Sequence, residues 1–283
     1  MELGIGNYYL NKYGLSEGAK IMAEHGYATV DYQLSDIKGE LYTARDEDFL
    51  TKVLNIKRTL NSAGITVRQI HGPFCPELRD STEDERAVCF EKMVKGIVIA
   101  KHLGASYMAV HTLAPFGHGV QELEPVREIN KAFFTPLAKV AGKLGITVCL
   151  ENLPFRRFPL SETHVLADLI REIDSPYLKM TFDTGHANLF PGSIGDKIRY
   201  AGDLIKILHV HDNDGTADQH LNPYKGNIEW SDFAEALYDV GFSGVLNLET
   251  NPIAKEQLAA GMTDDEITEA ERSLAKIARL LAG

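Results

Sequence analysis

Six short β-type runs in this 283-residue chain end in His71, His111, Glu151, Asp183, His209 (with His211 two residues on) and Glu249. These side-chain types bind cations and move protons. Carboxylates gathered at one place repel one another and raise their own pKa values, and a divalent cation removes that cost. Glu151, Asp183, His209 and Glu249 together offer three carboxylates and one imidazole. Such an oxygen-rich set with open positions suits Mn²⁺, Mg²⁺ or Co²⁺ and also accommodates Zn²⁺. Any one of these residues could merely cap a strand or hydrogen-bond inside a core. Their repeated occurrence at strand ends argues for a common site.

Such a site needs elements that deliver strand ends to one place. The six positions lie 40, 40, 32, 26 and 40 residues apart, about 36 on average, and one eighth of the chain is about 35 residues. The β-type runs fall at 3–8, 28–33, 66–71, 106–111, 146–151, 178–183, 205–211 and 244–249, with helical patterns between them at 84–103, 127–144 and 231–240. Thr82 with Glu85, and Thr263 with Glu266, are capping-box signatures. Gly104, Gly145 and Gly241 sit where helices should give way to strands. Alternating strands and helices on an eightfold period predict a single (β/α)8 TIM barrel over residues 1–283, an α/β fold whose active sites lie at the C-terminal ends of the strands. A doubly wound open sheet is disfavoured, because no GxGxxG turn follows the first strand.

With 44% hydrophobic residues the chain has ample material for a core, so disorder is excluded as its main state. No apolar stretch approaches the ~18 residues of a membrane span, and the start MELGIGNYYL lacks the features of a signal peptide. Cys75, Cys89 and Cys149 are odd in number and lack CxxC spacing, which points to reduced thiols and a cytoplasmic location. A net charge of −11 opposes nonspecific attraction to nucleic acid or anionic membrane.

The segments HGPF (71–74), ENLP (151–154), FDTGHAN (182–188), HVHDNDG (209–215), DQHLNPYKGNIEW (218–230) and LNLET (246–250) resemble the xylose isomerase-like TIM-barrel superfamily, over residues 66–250. That superfamily holds sugar isomerases and epimerases, inosose-processing enzymes and repair nucleases of the endonuclease IV type. Resemblance to its epimerase branch implies metal ligation by Glu151, Asp183, His209 and Glu249, with the two glutamates as the acid/base pair and His186 at a substrate-binding position. It further implies a divalent-metal cofactor and a sugar or sugar-phosphate substrate. Resemblance to the endonuclease IV branch implies a larger zinc set drawn from His71, His111, Glu151, Asp183, His186, His209, Asp218, His220 and Glu249. An inosose-dehydrating lyase would use the same proton abstraction. The net charge, the lack of a basic, aromatic-interleaved groove and the HDNDG and GNIEW segments favour the sugar reading, with nucleic acid disfavoured as a partner. Where the family's epimerases often carry an arginine after HxH, this chain has Asp214, Gly215 and Thr216.

His211 lies two past His209 and should share its side of the strand, one layer further out, as a substrate or supporting group. Lys225 is a candidate for a substrate hydroxyl or phosphate. Arg156 and Arg157 follow Glu151 in a loop at the mouth and could hold an anion. Trp230 reads as a core anchor, and Tyr8 and Tyr9 as the end of the first strand. A parallel barrel exposes its helices, which leaves a homo-oligomer possible.

Overall fold

A computed structural model describes residues 1–74, 78–119, 121–250 and 261–283. Eight parallel strands form one sheet: β1 (Glu2–Ile5), β2 (Thr29–Gln33), β3 (Thr66–His71), β4 (Tyr107–His111), β5 (Thr147–Glu151), β6 (Leu178–Asp183), β7 (Ile205–His209) and β8 (Val245–Leu248). They run in the order β7-β6-β5-β4-β3-β2-β1-β8. The bridge between Val210 and Leu248, with Val210 N–H donating to Asn247 O at 2.8 Å, brings the two edges together into a TIM barrel. The strands carry Val, Ile, Leu and Met buried on both faces, as a sheet covered by helices requires.

The long helices Glu83–Leu103 and Leu123–Leu144 cover one side of the barrel. Thr82 and Glu85 form the expected reciprocal cap, and Gly104 and Gly145 close these helices in the left-handed conformation. The second capping box, Thr263 with Glu266, opens the last helix, Asp264–Ala282. Among the described residues no helix is long and apolar enough to cross a membrane. Cys89 and Cys149 are buried, and Cys75 lies outside the described residues.

The structure corrects the first expected strand. It ends at Ile5, and Tyr8 opens the helix Tyr8–Tyr13 instead of closing the strand. Packing overrides tyrosine's strand preference: the Tyr9 ring is fully buried among Tyr8, Tyr13, Tyr27 and His25, and its hydroxyl lies 3.1 Å from His25 Nδ1. The seventh strand is also shorter than expected and ends at His209. Thr184 Oγ1 donates to His211 O at 2.6 Å and accepts from His211 N–H at 3.0 Å, which turns the chain out of the sheet.

Candidate metal centre at the barrel mouth

Because the strands are parallel, their C-terminal ends share one rim. His71, His111, Glu151, Asp183 and His209 are the last residues of β3 to β7, and Glu249 follows β8 directly. Their side chains form clusters whose possible ligand atoms all lie within 4.8 Å of one another. One cluster is Glu151, Asp183, His209 and Glu249, and a second is His71, His111 and Glu151. The third joins His186, His211, Asp218 and His220. Glu151 belongs to two of them, with Oε1 2.9 Å from His209 Nδ1 and Oε2 3.3 and 3.5 Å from Nε2 of His71 and His111. Lys225 is exposed and does not line this cavity.

Local structure fixes these groups. Asp183 caps the short helix Thr184–Asn188, with Oδ1 accepting from His186 N–H at 2.7 Å. Asn152 locks β5 to β6: its Oδ1 accepts from Asp183 N–H, and its Nδ2 donates to Asp183 O, both at 2.9 Å. The His211 ring then slides beneath this helix and meets Asp183 Oδ1 at 3.0 Å. Only glycine fits at 185, because an added Cβ would stand 2.0 Å from His211 Cε1. The loop carrying Asp218 and His220 is tied down by Asp212, whose Oδ2 accepts from Trp230 Nε1–H at 3.1 Å. Trp230 is thus a buried anchor, as expected.

The histidine edges test whether this donor set fits a cation. His71, His186 and His220 point Nδ1 at the carbonyls of Gly72, Asn152 and Glu249, at 3.1, 2.8 and 2.7 Å. A carbonyl only accepts, so each Nδ1 carries a proton, and a neutral ring then presents a bare Nε2. Those Nε2 atoms face carboxylate oxygens, Glu151 Oε2 at 3.3 Å for His71 and Asp218 Oδ2 at 3.4 and 3.3 Å for His186 and His220. Two acceptors facing each other need a second ring proton or a cation between them. Glu151 Oε2, though buried, makes no hydrogen bond. The carboxylates and imidazoles therefore fit a divalent metal, with Mn²⁺, Co²⁺ and Zn²⁺ matching the mixed N/O set.

The protonation directions carry the same strain. Burial opposes charge on His186, but Asp183 and Asp218 overcome it and lift its pKa to about 10; His220, likewise burial-opposed, is raised by Asp218 and Glu249 to about 9. Burial also opposes charge on His209, and Glu249 and Glu151 outweigh it and hold the ring well above the ordinary range. Glu151 resists burial through His209, His111 and His71 and stays well below the usual carboxylate range. Glu249 is pushed up by burial and by the Glu151 and Asp183 charges, despite His209.

A cavity of about 710 Å³ opens above these groups. Phe74, Phe155 and Leu189 contribute apolar lining, and Gln33, Asp218 and His220 contribute polar groups. Arg156 reaches the rim and donates to Gly215 O at 2.5 Å. Sequence reasoning missed Asp31, which is buried with Oδ2 2.9 Å from His209 Nε2. It lies mid-strand, away from the strand ends where ligands were sought. The available signal was an acid at an alternate position between Thr29 and Gln33.

The chain is 28% identical to the D-psicose 3-epimerase of Ruminiclostridium cellulolyticum over 214 residues, which cover 70% of this chain and 68% of that one. It is 30% identical over 192 residues to an uncharacterized protein of Methanocaldococcus jannaschii, covering 65% of this chain and 64% of that one. The match spans about half to two thirds of the length of such curated relatives. In fold it superposes on D-psicose 3-epimerase with D-tagatose from Clostridium cellulolyticum H10 with a TM-score of 0.80 at 18% identity, covering 100% of this chain and 99% of that one. It superposes on the IOLI protein with a binding zinc atom with a TM-score of 0.74 at 17% identity, covering 98% of each chain. Residues 19–276 match the family described as xylose isomerase-like TIM barrel, and the chain belongs to that family.

Proposed function

We propose that this protein is a divalent-metal-dependent sugar isomerase or epimerase, formed as one domain. The observation that carries the reading is the convergence of Glu151, Asp183, His209 and Glu249 from four strands onto one point beneath a sugar-sized cavity. These four side chains would hold the cation. When bound, it would offset their mutual repulsion and stabilise negative charge developing on neighbouring sugar oxygens.

The chain's own groups then divide the proton work. Glu151 is held ionised and accepts a proton from the carbon beside the substrate carbonyl. Glu249, the second glutamate of the set, returns one. Return to the neighbouring carbon would move the carbonyl, and return from the opposite face would invert a centre. His186 and His220 border the cavity and would bind substrate hydroxyls, while Phe74 and Phe155 offer apolar surface to the carbon skeleton. Similarity to D-psicose 3-epimerases supports a ketose among the substrates. The test is incubation with a panel of ketoses and aldoses in deuterated water with Mn²⁺ or Co²⁺. Deuterium should enter the carbon next to the carbonyl, and Glu249→Gln should abolish conversion to the product sugar while Glu151 still exchanges that hydrogen. Full conversion in that variant removes Glu249 from the reaction.

One observation favours a second reading, a zinc-dependent abasic-site phosphodiesterase. The three clusters together contain all nine positions that the nuclease branch would use. Metal analysis separates the readings: about one tightly held ion per chain accords with the sugar enzyme, and three zincs with incision of abasic duplex accord with the nuclease.

A further inference from the structure

His209 is held unlike its neighbours. His71, His186 and His220 each give Nδ1–H to a backbone carbonyl and turn Nε2 toward the site. His209 does the reverse, with Nδ1 facing Glu151 Oε1 at 2.9 Å and Glu249 Oε2 at 3.3 Å, and Nε2 facing Asp31 Oδ2 at 2.9 Å. A neutral imidazole carries one N–H, so a lone pair at Nδ1 requires the proton at Nε2 and an acceptor to receive it. Where the other three rings have a neutral carbonyl, this ring has a carboxylate.

Asp31 is itself held in place. It lies two residues before the end of β2, one layer deeper than the rim, and is 2% exposed. Gln69 from β3 donates Nε2–H to Asp31 Oδ2 at 2.8 Å, and Asn247 from β8 donates Nδ2–H to the same oxygen at 3.4 Å. Both partners are uncharged amides, and a buried carboxylate held only by amides is costly. The balancing positive charge has to reach Asp31 through the His209 ring, as a ring proton or as a cation on the far nitrogen.

We propose that Asp31 is a positioning residue for the metal centre. It fixes the Nε2–H tautomer and the plane of His209, and it strengthens Nδ1 as an electron-pair donor to a divalent cation. Gln69 and Asn247 set the oxygen that does this. The inference rests on the metal-centre reading above and names a residue that does not itself touch the ion.

The test uses the full chain, stripped with a chelator and titrated with Zn²⁺ or Mn²⁺ against a competing indicator dye. Asp31→Asn keeps the side-chain shape and removes the charge. It should weaken binding by about 10- to 100-fold, the usual cost of losing a partner behind a ligand. Zinc-loaded protein labelled with ¹⁵N-histidine supplies a reading that a purely structural role would not move. In the wild type, His209 should show a metal-bound Nδ1 and a protonated Nε2 in a strong hydrogen bond. In Asp31→Asn that proton's signal should shift toward weaker hydrogen bonding. Equal affinity in the two proteins, or a wild-type His209 bound through Nε2, overturns the proposal. The wild-type spectrum decides the matter even if the variant does not fold. If the wild type binds no ion, or binds one that His209→Gln and Glu249→Gln leave unaffected, the metal-centre reading itself fails, which is a different result.

Discussion

Replacing Gly185 by alanine tests the architecture of the site with one methyl group. The new Cβ would stand 2.0, 2.3 and 2.7 Å from Cε1, Nδ1 and Nε2 of His211. Ordinary contact begins near 3.4 Å, so the ring must retreat by about 1.4 Å. The ring is fully buried, and it cannot retreat without losing its 3.0 Å contact to Asp183. Overpacking of this kind costs about 1–3 kcal/mol. A lost hydrogen bond to a charged group costs about 1.5–3 kcal/mol more. Alanine's better helix propensity returns about 0.5–1 kcal/mol. The balance is about 2–5 kcal/mol, or a melting temperature lower by roughly 4–10 °C at about 2 °C per kcal/mol for a chain of this size. Metal affinity should fall with it, because Asp183 loses the partner that orients it. The decisive assay is a double-mutant cycle followed by thermal melts and metal titration. In a His211→Ala background the ring is gone, and Gly185→Ala should cost at least about 1 kcal/mol less than in the wild type. If Gly185→Ala melts within a degree of wild type, or costs the same with and without the ring, the packing argument is wrong.

Other expectations follow from the same geometry. Glu151→Gln should leave the fold intact and lower turnover by about 10²–10⁴-fold, as measured with whichever sugar shows solvent exchange; turnover within tenfold of wild type would take Glu151 out of the proton path. In chelator-treated protein, His186 and His220 are raised to about 10 and about 9 from an ordinary value near 6.5. Raised folded-state values stabilise below the unfolded pKa, so that contribution should be complete at pH 6 and disappear between pH 6.5 and 10. The melting temperature should fall by a few degrees across that window, and a flat profile in the metal-free protein would contradict the assignment. Trp230→Phe removes the indole N–H that meets Asp212 and should cost about 1.5–3 kcal/mol. Because Asp212 anchors the loop bearing Asp218 and His220, KM should rise more than kcat falls, and an unchanged KM would separate that anchor from substrate binding.

The repeating strand–helix period was legible in the sequence because parallel strands need helical crossovers, and each crossover consumes a near-constant length of chain. The ring of ligand-type residues was legible for the same reason: His71, His111, Glu151, Asp183 and His209 each end a strand, and in a barrel all such ends meet. Alternation was expected to place His211 on the side of His209, but the strand stops at His209 and the ring is placed by the turn beyond it, which Gly185 admits. Tyr8 and Tyr9 read as strand and fold as helix, because a buried cluster with Tyr27 and His25 outweighs local preference. Sorting the rim groups into three clusters, and the choice of nitrogen that each ring presents, depended on tertiary structure alone. His209 and Asp31 are 178 residues apart, and no local rule links them. Alternation tells which side of a strand a residue faces, but the edge an imidazole turns to a cation is set by the acceptor across the barrel, which exists only once the cylinder closes.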